Sequence, residues 1–298
     1  LRKLGHEAWD IHANNESMQR AWATEHGIPV AAPPPLLQHG RPFLRLAHRM
    51  AAKAPLRYVK PLLRPMLRPL GSQQAWFHQI LAAQIEYYRP DVLLNQAMDG
   101  ISADLLREMK PFVRLLVGQI AAPLPPGEDF GCYDLVISSL PNLVERFRQM
   151  GVPAELNRLA FEPRVLCALR GEDQAIAVSF VGSLSPDHKA RIGLLEHLAV
   201  HVGLELRGQG AEDLPADSPI RRCYRGQAWG IEMYQILHGS RITLNHHGHV
   251  AGPYANNMRL YEATGVGTLL VTDWKENLHE IFEPGEEVVP YRSPEECT

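Results

Sequence analysis

Near the carboxyl end of the chain, Pro253 to Asp273 read PYANNMRLYEATGVGTLLVTD. Two adjacent asparagines, an arginine and a glutamate precede two glycines and an apolar run that closes on Thr272 and Asp273. Asn256 or Asn257 suits the N-cap of a helix over MRLYEAT. Gly265 can stop that helix, and Gly267 permits a close approach before a strand. The amino end of a helix offers free N–H groups and a positive partial charge, which suits a phosphate. Arg259 in the first turn adds a charged fork, and its own charge opposes that helix end unless an anion binds. Glu262 lies one turn later on the same face, where a carboxylate can accept hydrogen bonds from the two hydroxyls of a ribose. The plain alternative is a capped helix with a surface Arg259–Glu262 pair, worth roughly a few tenths of a kcal/mol.

Upstream segments add polar groups at other strand ends. FVGSLSPDHKAR places Gly182 and Ser183 at the carboxyl end of a strand, with Lys189 and Arg191 in the first two turns of the helix that follows. That arrangement suits a diphosphate approached from the opposite side, although it is neither a Walker loop nor a G-x-G-x-x-G turn. LNHHGHVAGPYANN is a loop at the end of the next strand and carries Asn245. His246, His247 and His249 share this loop, but metal sites usually draw on a further Cys, Asp or Glu and none is evident. An imidazole contacting a sugar hydroxyl or phosphate is the expectation, with no metal.

General-base chemistry needs a His, Asp or Glu within reach of an acceptor hydroxyl. The candidates, at strand ends of the first half, are Asp99, Glu128 and Asp129, and an exposed loop carboxylate is the plain reading of each; His246 is a further catalytic candidate. Asn95, Gln96 and Gln119 stand at similar strand ends and suit an acceptor, as do Asn14 and Asn15.

The elements that must position these residues alternate. EAWDIH reads as a strand, ESMQRAWATEHG as a helix closed by Gly27, and QAWFHQILAAQIEYY as a long helix. The spacing then predicts strand DVLLNQ, a helix N-capped by Ser102, strands FVRLLVGQI and YDLVISS, a helix opened by Pro141 and stopped at Gly151, and the closing segment AELNRLAF. After a linker at 162–174 the pattern restarts. It runs AIAVSFVGS, a helix opened by Ser185 and Pro186, LELRG, WGIEMYQILHG burying Trp229, Met233, Ile236 and Leu237, RITLN, the helix MRLYEAT, and TLLVT. Apolar strands alternating with helices indicate parallel sheets covered on both faces. Two such runs give an α/β protein of two Rossmann-like domains facing across a cleft, residues 1–168 and 169–298, with ligands beyond the carboxyl ends of the strands.

The chain has 298 residues, a net charge of −3, 45% hydrophobic and 21% charged residues. That composition describes a globular chain with no global field for nucleic acid. The four cysteines are widely separated and lack metal spacing, which suits a reducing cytoplasm. No run of about 18 apolar residues occurs. The chain opens at Leu1, and a preceding strand and turn are expected to be missing, with the end at Thr298 cut short. A Pro-rich insertion, 33–72, carries Arg41, Arg45, Arg49, Lys53, Arg57, Lys60, Arg64 and Arg68 among leucines. Residues 41–68 could touch an anionic membrane or a charged acceptor, while a solvated insertion packed on the first domain is the plain reading.

The segment SRITLNHHGHVAGPYANNMRLYEATGVGTLLVTDWKENLHEIFEPGEEVVPYRSPEE resembles the carboxyl-terminal half of GT-B glycosyltransferases, in the CgeB-like (spore-maturation-protein) branch. FVGSLSPDHKARIGLLEHL and LRKLGHEAWDIHANNESMQRAWATEHG resemble further parts of that family. The resemblance implies a donor-binding second domain and an acceptor-facing first one. It also implies no metal, because helix dipoles and basic side chains hold the leaving diphosphate. By carry-over Glu262 binds the ribose, Arg259, Asn257, Lys189 and Arg191 stand near the phosphates, and Gly182, Ser183 and Thr272 line the donor side. Many retaining relatives carry E-x7-E, and here Tyr254 occupies the first glutamate position, which leaves Asn245 or His246 to reach the sugar. The resemblance implies transfer of a sugar from a nucleotide sugar to a hydroxyl or amine. The alternatives are a sugar-nucleotide epimerase or hydrolase of the same fold, or a non-catalytic nucleotide-sugar-binding protein.

Overall fold

A computed structural model of the chain describes residues 2–30, 71–96, 98–124, 127–171, 174–185 and 188–298. The basic stretch at 41–68, with most of the 33–72 insertion, lies outside the described residues. The chain divides into two compact units, Leu1–Gln119 with Pro125–Leu135, and Ile120–Leu124 with Val136–Thr298.

The first unit contains α1 (Glu16–Glu25), α2 (Gly71–Tyr88), β1 (Val92–Asn95), α3 (Ala103–Met109) and β2 (Leu115–Gln119). Strands β1 and β2 pair in parallel, Val92 opposite Leu115 and Asn95 opposite Gly118. Asn15 caps α1 by accepting from the Met18 N–H at 3.1 Å, and Ser102 caps α3 by accepting from Leu105. Asp134 accepts from the backbone N–H of Leu116 at 2.7 Å and pairs with Lys110, which pins the turn before β2. The segment EAWDIH is not a strand; it is irregular chain, with Arg2 bonded to the Ala8 carbonyl and Trp9 stacked on Tyr88 at 5.0 Å. Trp9 finds an aromatic partner in place of a sheet neighbour.

The second unit holds β3 (Leu135–Ser138) from Val136 onward, α4 (Pro141–Gln149) and β4 (Ala154–Leu156), the two strands parallel with Val136 opposite Ala154. Helix α4 has Pro141 in its first turn, and Gly151 beyond its end has φ of +78°. A five-stranded parallel sheet follows, built from β5 (Ile176–Val181), β6 (Leu204–Arg207), β7 (Ser240–Asn245), β8 (Leu269–Asp273) and β9 (Val288–Tyr291). Its order is β6-β5-β7-β8-β9. The helices of this half are α5 (Lys189–His201), α6 (Ile220–Cys223), α7 (Gly230–His238) and α8 (Met258–Gly265).

These elements form because each has an apolar face to bury. Leu194, Leu195 and Leu198 of α5 pack with Leu204, Leu206 and Phe180. Leu260 and Ala263 of α8 pack on Leu270 and Val288. Burying a leucine of this kind stabilises by about 1.5–3 kcal/mol. Between β5 and β7 the hydroxyls of Ser179 and Thr243, both buried, satisfy each other at 3.0 Å.

Two further expectations change. Helix α5 starts at Lys189 and not at Ser185. Trp229 is 62% exposed at the N-cap of α7, while Ile236 and Leu237 fill the core, so that helix buries a narrower stripe than its composition suggests. The linker expected at 162–174 is held by hydrogen bonds along its described part, 162–171. Glu162 caps a short 3-10 turn at Pro163–Ala168, and the backbone of Arg170 exchanges hydrogen bonds with the Gln235 side chain at 2.9 and 2.6 Å. Just before it, Arg158 reaches Glu280 and the ring of Phe161 lies against Gly265.

Candidate functional site

The carboxyl edge of the five-stranded sheet gathers most of the sequence-predicted residues. Strand β5 ends at Val181 before Gly182 and Ser183, β7 ends at Asn245 before His246 and His247, β8 ends at Thr272 and Asp273, and β9 ends at Tyr291. Parallel strands with the same polarity bring these ends to one edge, with the amino end of α8 beside them.

Asn257, not Asn256, is the N-cap of α8: its Oδ1 accepts from Leu260 N–H at 3.3 Å. Its Nδ2 donates to Asn245 Oδ1 at 2.7 Å, and Asn245 Nδ2 donates to Thr272 Oγ1 at 2.9 Å. Three candidate residues from a loop and two strands therefore form one hydrogen-bonded chain. It fixes the start of α8 relative to β7 and β8.

Arg259 and Glu262 pair at 2.9 Å, with side chains only 13% and 11% exposed. This is not the surface pair of the plain reading. Arg259 also donates to the Val181 carbonyl at 3.0 Å, and the Tyr234 hydroxyl stands 3.5 Å from the carboxylate. The Nε of Arg259 is buried with no hydrogen-bond partner. Burial lowers the Arg259 pKa, while the Glu262 charge opposes that shift. Burial first, and then the Glu262 charge, raise that of the Tyr234 hydroxyl.

Arg191 is likewise engaged. It donates to the Ser183 carbonyl at 3.1 Å and the His246 carbonyl at 2.7 Å, and lies over the Phe180 ring. It ties the loop after β5 to the loop after β7. Lys189 is exposed at the first position of α5, where its charge adds to the positive end of the helix. Gly182 and Ser183 are half-buried. Gly208, at φ of +145°, lies so close that a Cβ there would come within 1.8 Å of the Gly182 carbonyl oxygen.

Two residues at this edge carry more than the sequence reading assigned them. Asp273 Oδ1 accepts from His247 Nδ1 at 2.7 Å and from its backbone N–H at 3.0 Å. Burial alone would raise the Asp273 pKa, but the His247 hydrogen bonds and the neighbouring histidines bring it down to about 2. Tyr291 donates its hydroxyl to the Asn245 carbonyl at 2.8 Å and lies 3.0 Å from His246 Nδ1. Burial raises the Tyr291 pKa. Tyr291 had one sequence signal, its place at the end of an apolar run, VVPY, that terminates at the same edge.

The other candidates lie in the first unit. Asn95 is buried and donates to the Tyr133 hydroxyl at 2.7 Å. Gln96 donates to Gln119 at 2.7 Å. Asp99 and Glu128 are exposed, and Asp129 pairs with Arg107. Among the described residues, no group of three or more His, Cys, Asp or Glu side chains could hold a metal ion. His249 does not join His246 and His247 in a cluster of that kind. No described helix is long and apolar enough to cross a membrane.

Residues 191–298 match a family model described as glycosyl transferase-like. No curated protein matches the chain by sequence. Among solved structures, Anabaena Alr3699/HepE in complex with UDP is similar at 15% identity and a TM-score of 0.53, over 74% of this chain and 69% of that one. The UDP-glucose complex of the same protein gives 15% identity and a TM-score of 0.53 over 93% and 76%. AviGT4, a glycosyltransferase involved in avilamycin A biosynthesis, gives 17% identity and a TM-score of 0.49 over 74% and 67%. The fold is α/β with parallel sheets and matches GT-B glycosyltransferase structures.

Proposed function

We propose that this protein is a metal-independent glycosyltransferase that moves a sugar from a nucleotide-sugar donor to an acceptor hydroxyl or amine, in the CgeB-like branch. The observation that carries this reading is the buried Arg259–Glu262 pair on a helix whose capped amino end meets the ends of β7 and β8. Residues 169–298 form the donor side and 1–168 the acceptor side in this reading. Support for the donor comes from Alr3699/HepE, solved with UDP and with UDP-glucose on a similar fold.

In this reading Glu262 accepts hydrogen bonds from the ribose, and the ion pair with Arg259 holds its carboxylate in place. The amino ends of α5 and α8 and the Lys189 ammonium face the diphosphate. They stabilise the charge that grows on it as the glycosidic bond breaks. Arg191 acts through position, holding the Ser183 and His246 loops together, more than through direct contact. His246 meets the sugar. Asn95, Gln96 and Gln119 serve the acceptor, with Asp99 as a base. In this reading the protein works in the cytoplasm, and residues 41–68 either touch an anionic membrane or form a solvated insertion. A second reading is a nucleotide-sugar-binding protein without turnover, which the tyrosine at position 254 favours.

Thermal-shift measurement against UDP, guanosine diphosphate and thymidine diphosphate tests the donor. A nucleotide at a hundred times its Kd should stabilise by about 2.7 kcal/mol. Glu262→Ala should remove most of that gain. No shift with any nucleotide overturns the donor assignment. Release of nucleotide from the donor only when acceptor is present supports transfer, and binding without release supports the second reading.

A further inference from the structure

The Tyr291 hydroxyl has one hydrogen, and two neighbours compete for it. The Asn245 carbonyl, 2.8 Å away, can only accept. Tyr291 must therefore donate there, and the contact with His246 Nδ1 at 3.0 Å can form only if the imidazole is the donor. The proton of a neutral His246 then sits on Nδ1, and Nε2 is left with a lone pair. Among the described residues nothing in the protein bonds to that Nε2, and it is not among the buried unpartnered atoms. We propose that Tyr291 is a positioning residue that fixes His246 as the Nδ1–H tautomer, so that Nε2 accepts a hydrogen bond from a hydroxyl of the bound sugar. The ligand half of this inference rests on the donor reading above; the tautomer half does not.

The surroundings favour the neutral ring. Burial lowers the His246 pKa, as do the charges of Arg191, Lys275 and His247, while Asp273 pulls the other way. Arg191 cannot swing aside easily, because it holds the carbonyls of Ser183 and of His246 itself. The Tyr291 ring lies nearly parallel to the imidazole, 18° between planes and 6.3 Å between centres. The neighbouring His247 is held in the same sense: the ionised Asp273 takes its Nδ1–H, and its Nε2 is buried without a partner. Strands β8 and β9 thus each supply one group that orients one histidine of the β7 loop.

The decisive measurement is the ring 15N–1H correlation spectrum of the labelled full chain at neutral pH, with His246 assigned by comparison with His246→Asn. We expect the Nδ1–H form for His246 in the free protein and a shift towards Nε2–H in Tyr291→Phe. Finding Nε2–H or a doubly protonated ring in the wild type overturns the proposal. The second measurement is calorimetric binding of UDP and of UDP-glucose. Tyr291→Phe and His246→Asn should weaken UDP-glucose about tenfold, the size of one hydrogen bond, and leave UDP unchanged. His246→Gln, whose amide oxygen can take the place of Nε2, should recover part of the loss. Equal weakening of both ligands, or none, overturns the positioning role. Absence of UDP binding by the wild type removes the donor reading and the sugar contact with it, while the tautomer stands or falls on the spectrum alone.

Discussion

Asp273 Oδ1 receives both the backbone N–H and the Nδ1–H of His247, at 3.0 and 2.7 Å, across the end of the sheet from β8 to the β7 loop. Lys275 stands 3.3 Å from the other oxygen. A carboxylate this buried persists as an ion only because three donors surround it.

That environment makes stability depend on pH. The folded pKa of Asp273, about 2, is depressed from an ordinary 3.8, so its contribution is present above the unfolded value and is lost as pH falls from about 4 to 2. The size is about 2 kcal/mol. Asp273→Asn should be less stable than the wild type at pH 6, and the gap should close as pH falls through that window. Urea unfolding at pH 6, 4 and 3 measures it, and a gap that widened on acidification would contradict the assignment.

The buried ion pair makes a second case. Glu262→Ala leaves Arg259 with the Val181 carbonyl and a buried, unpartnered Nε. Removing one member of a buried pair is costly, so we expect a loss of about 3–5 kcal/mol. The double variant with Arg259→Met should cost less than the sum of the two single changes, a coupling of about 1–3 kcal/mol. Strict additivity in denaturant melts would show that the two side chains do not share a buried environment.

At Gly208 backbone geometry alone decides the outcome. Its φ of +145° disfavours any side chain, and a Cβ would strike the Gly182 carbonyl. Gly208→Ala should lose about 2–4 kcal/mol. A nucleotide-binding arm belongs with it: displacement of the Gly182–Ser183 turn should weaken UDP in whatever fraction still folds.

Asn257→Ala removes both the cap of α8 and the link to Asn245. Loss of a cap costs about 1 kcal/mol. Asn257→Asp keeps the acceptor but replaces the Nδ2 donor with a second carboxylate oxygen facing Asn245 Oδ1, so it should restore little. If the aspartate variant matched the wild type, the cap alone would account for the role of Asn257.

Much of this protein is written along the chain. The succession of strands and helices from Val92 onward, the caps at Ser102 and Asn257, the proline that opens α4 and the glycine that ends it depend on a few neighbouring residues, because backbone sterics and local hydrogen bonds act over one turn. The grouping of Gly182, Asn245, Asn257 and Thr272 followed from placing strand ends at one edge of a parallel sheet. Local pattern failed at EAWDIH, where among the described residues no strand pairs with the run, and at Trp229, whose side chain turns to solvent from a cap position.

What only the tertiary structure decided is which partner each polar group meets. Arg191 is committed to two carbonyls, Arg259 to Glu262 and Val181, His247 to Asp273, and His246 to Tyr291, 45 residues further along the chain. Sequence spacing fixes which residues share an edge. Hydrogen bonds, however, are made over about 3 Å, and at that scale only the stacking of strands β5, β7, β8 and β9 determines donor, acceptor and charge.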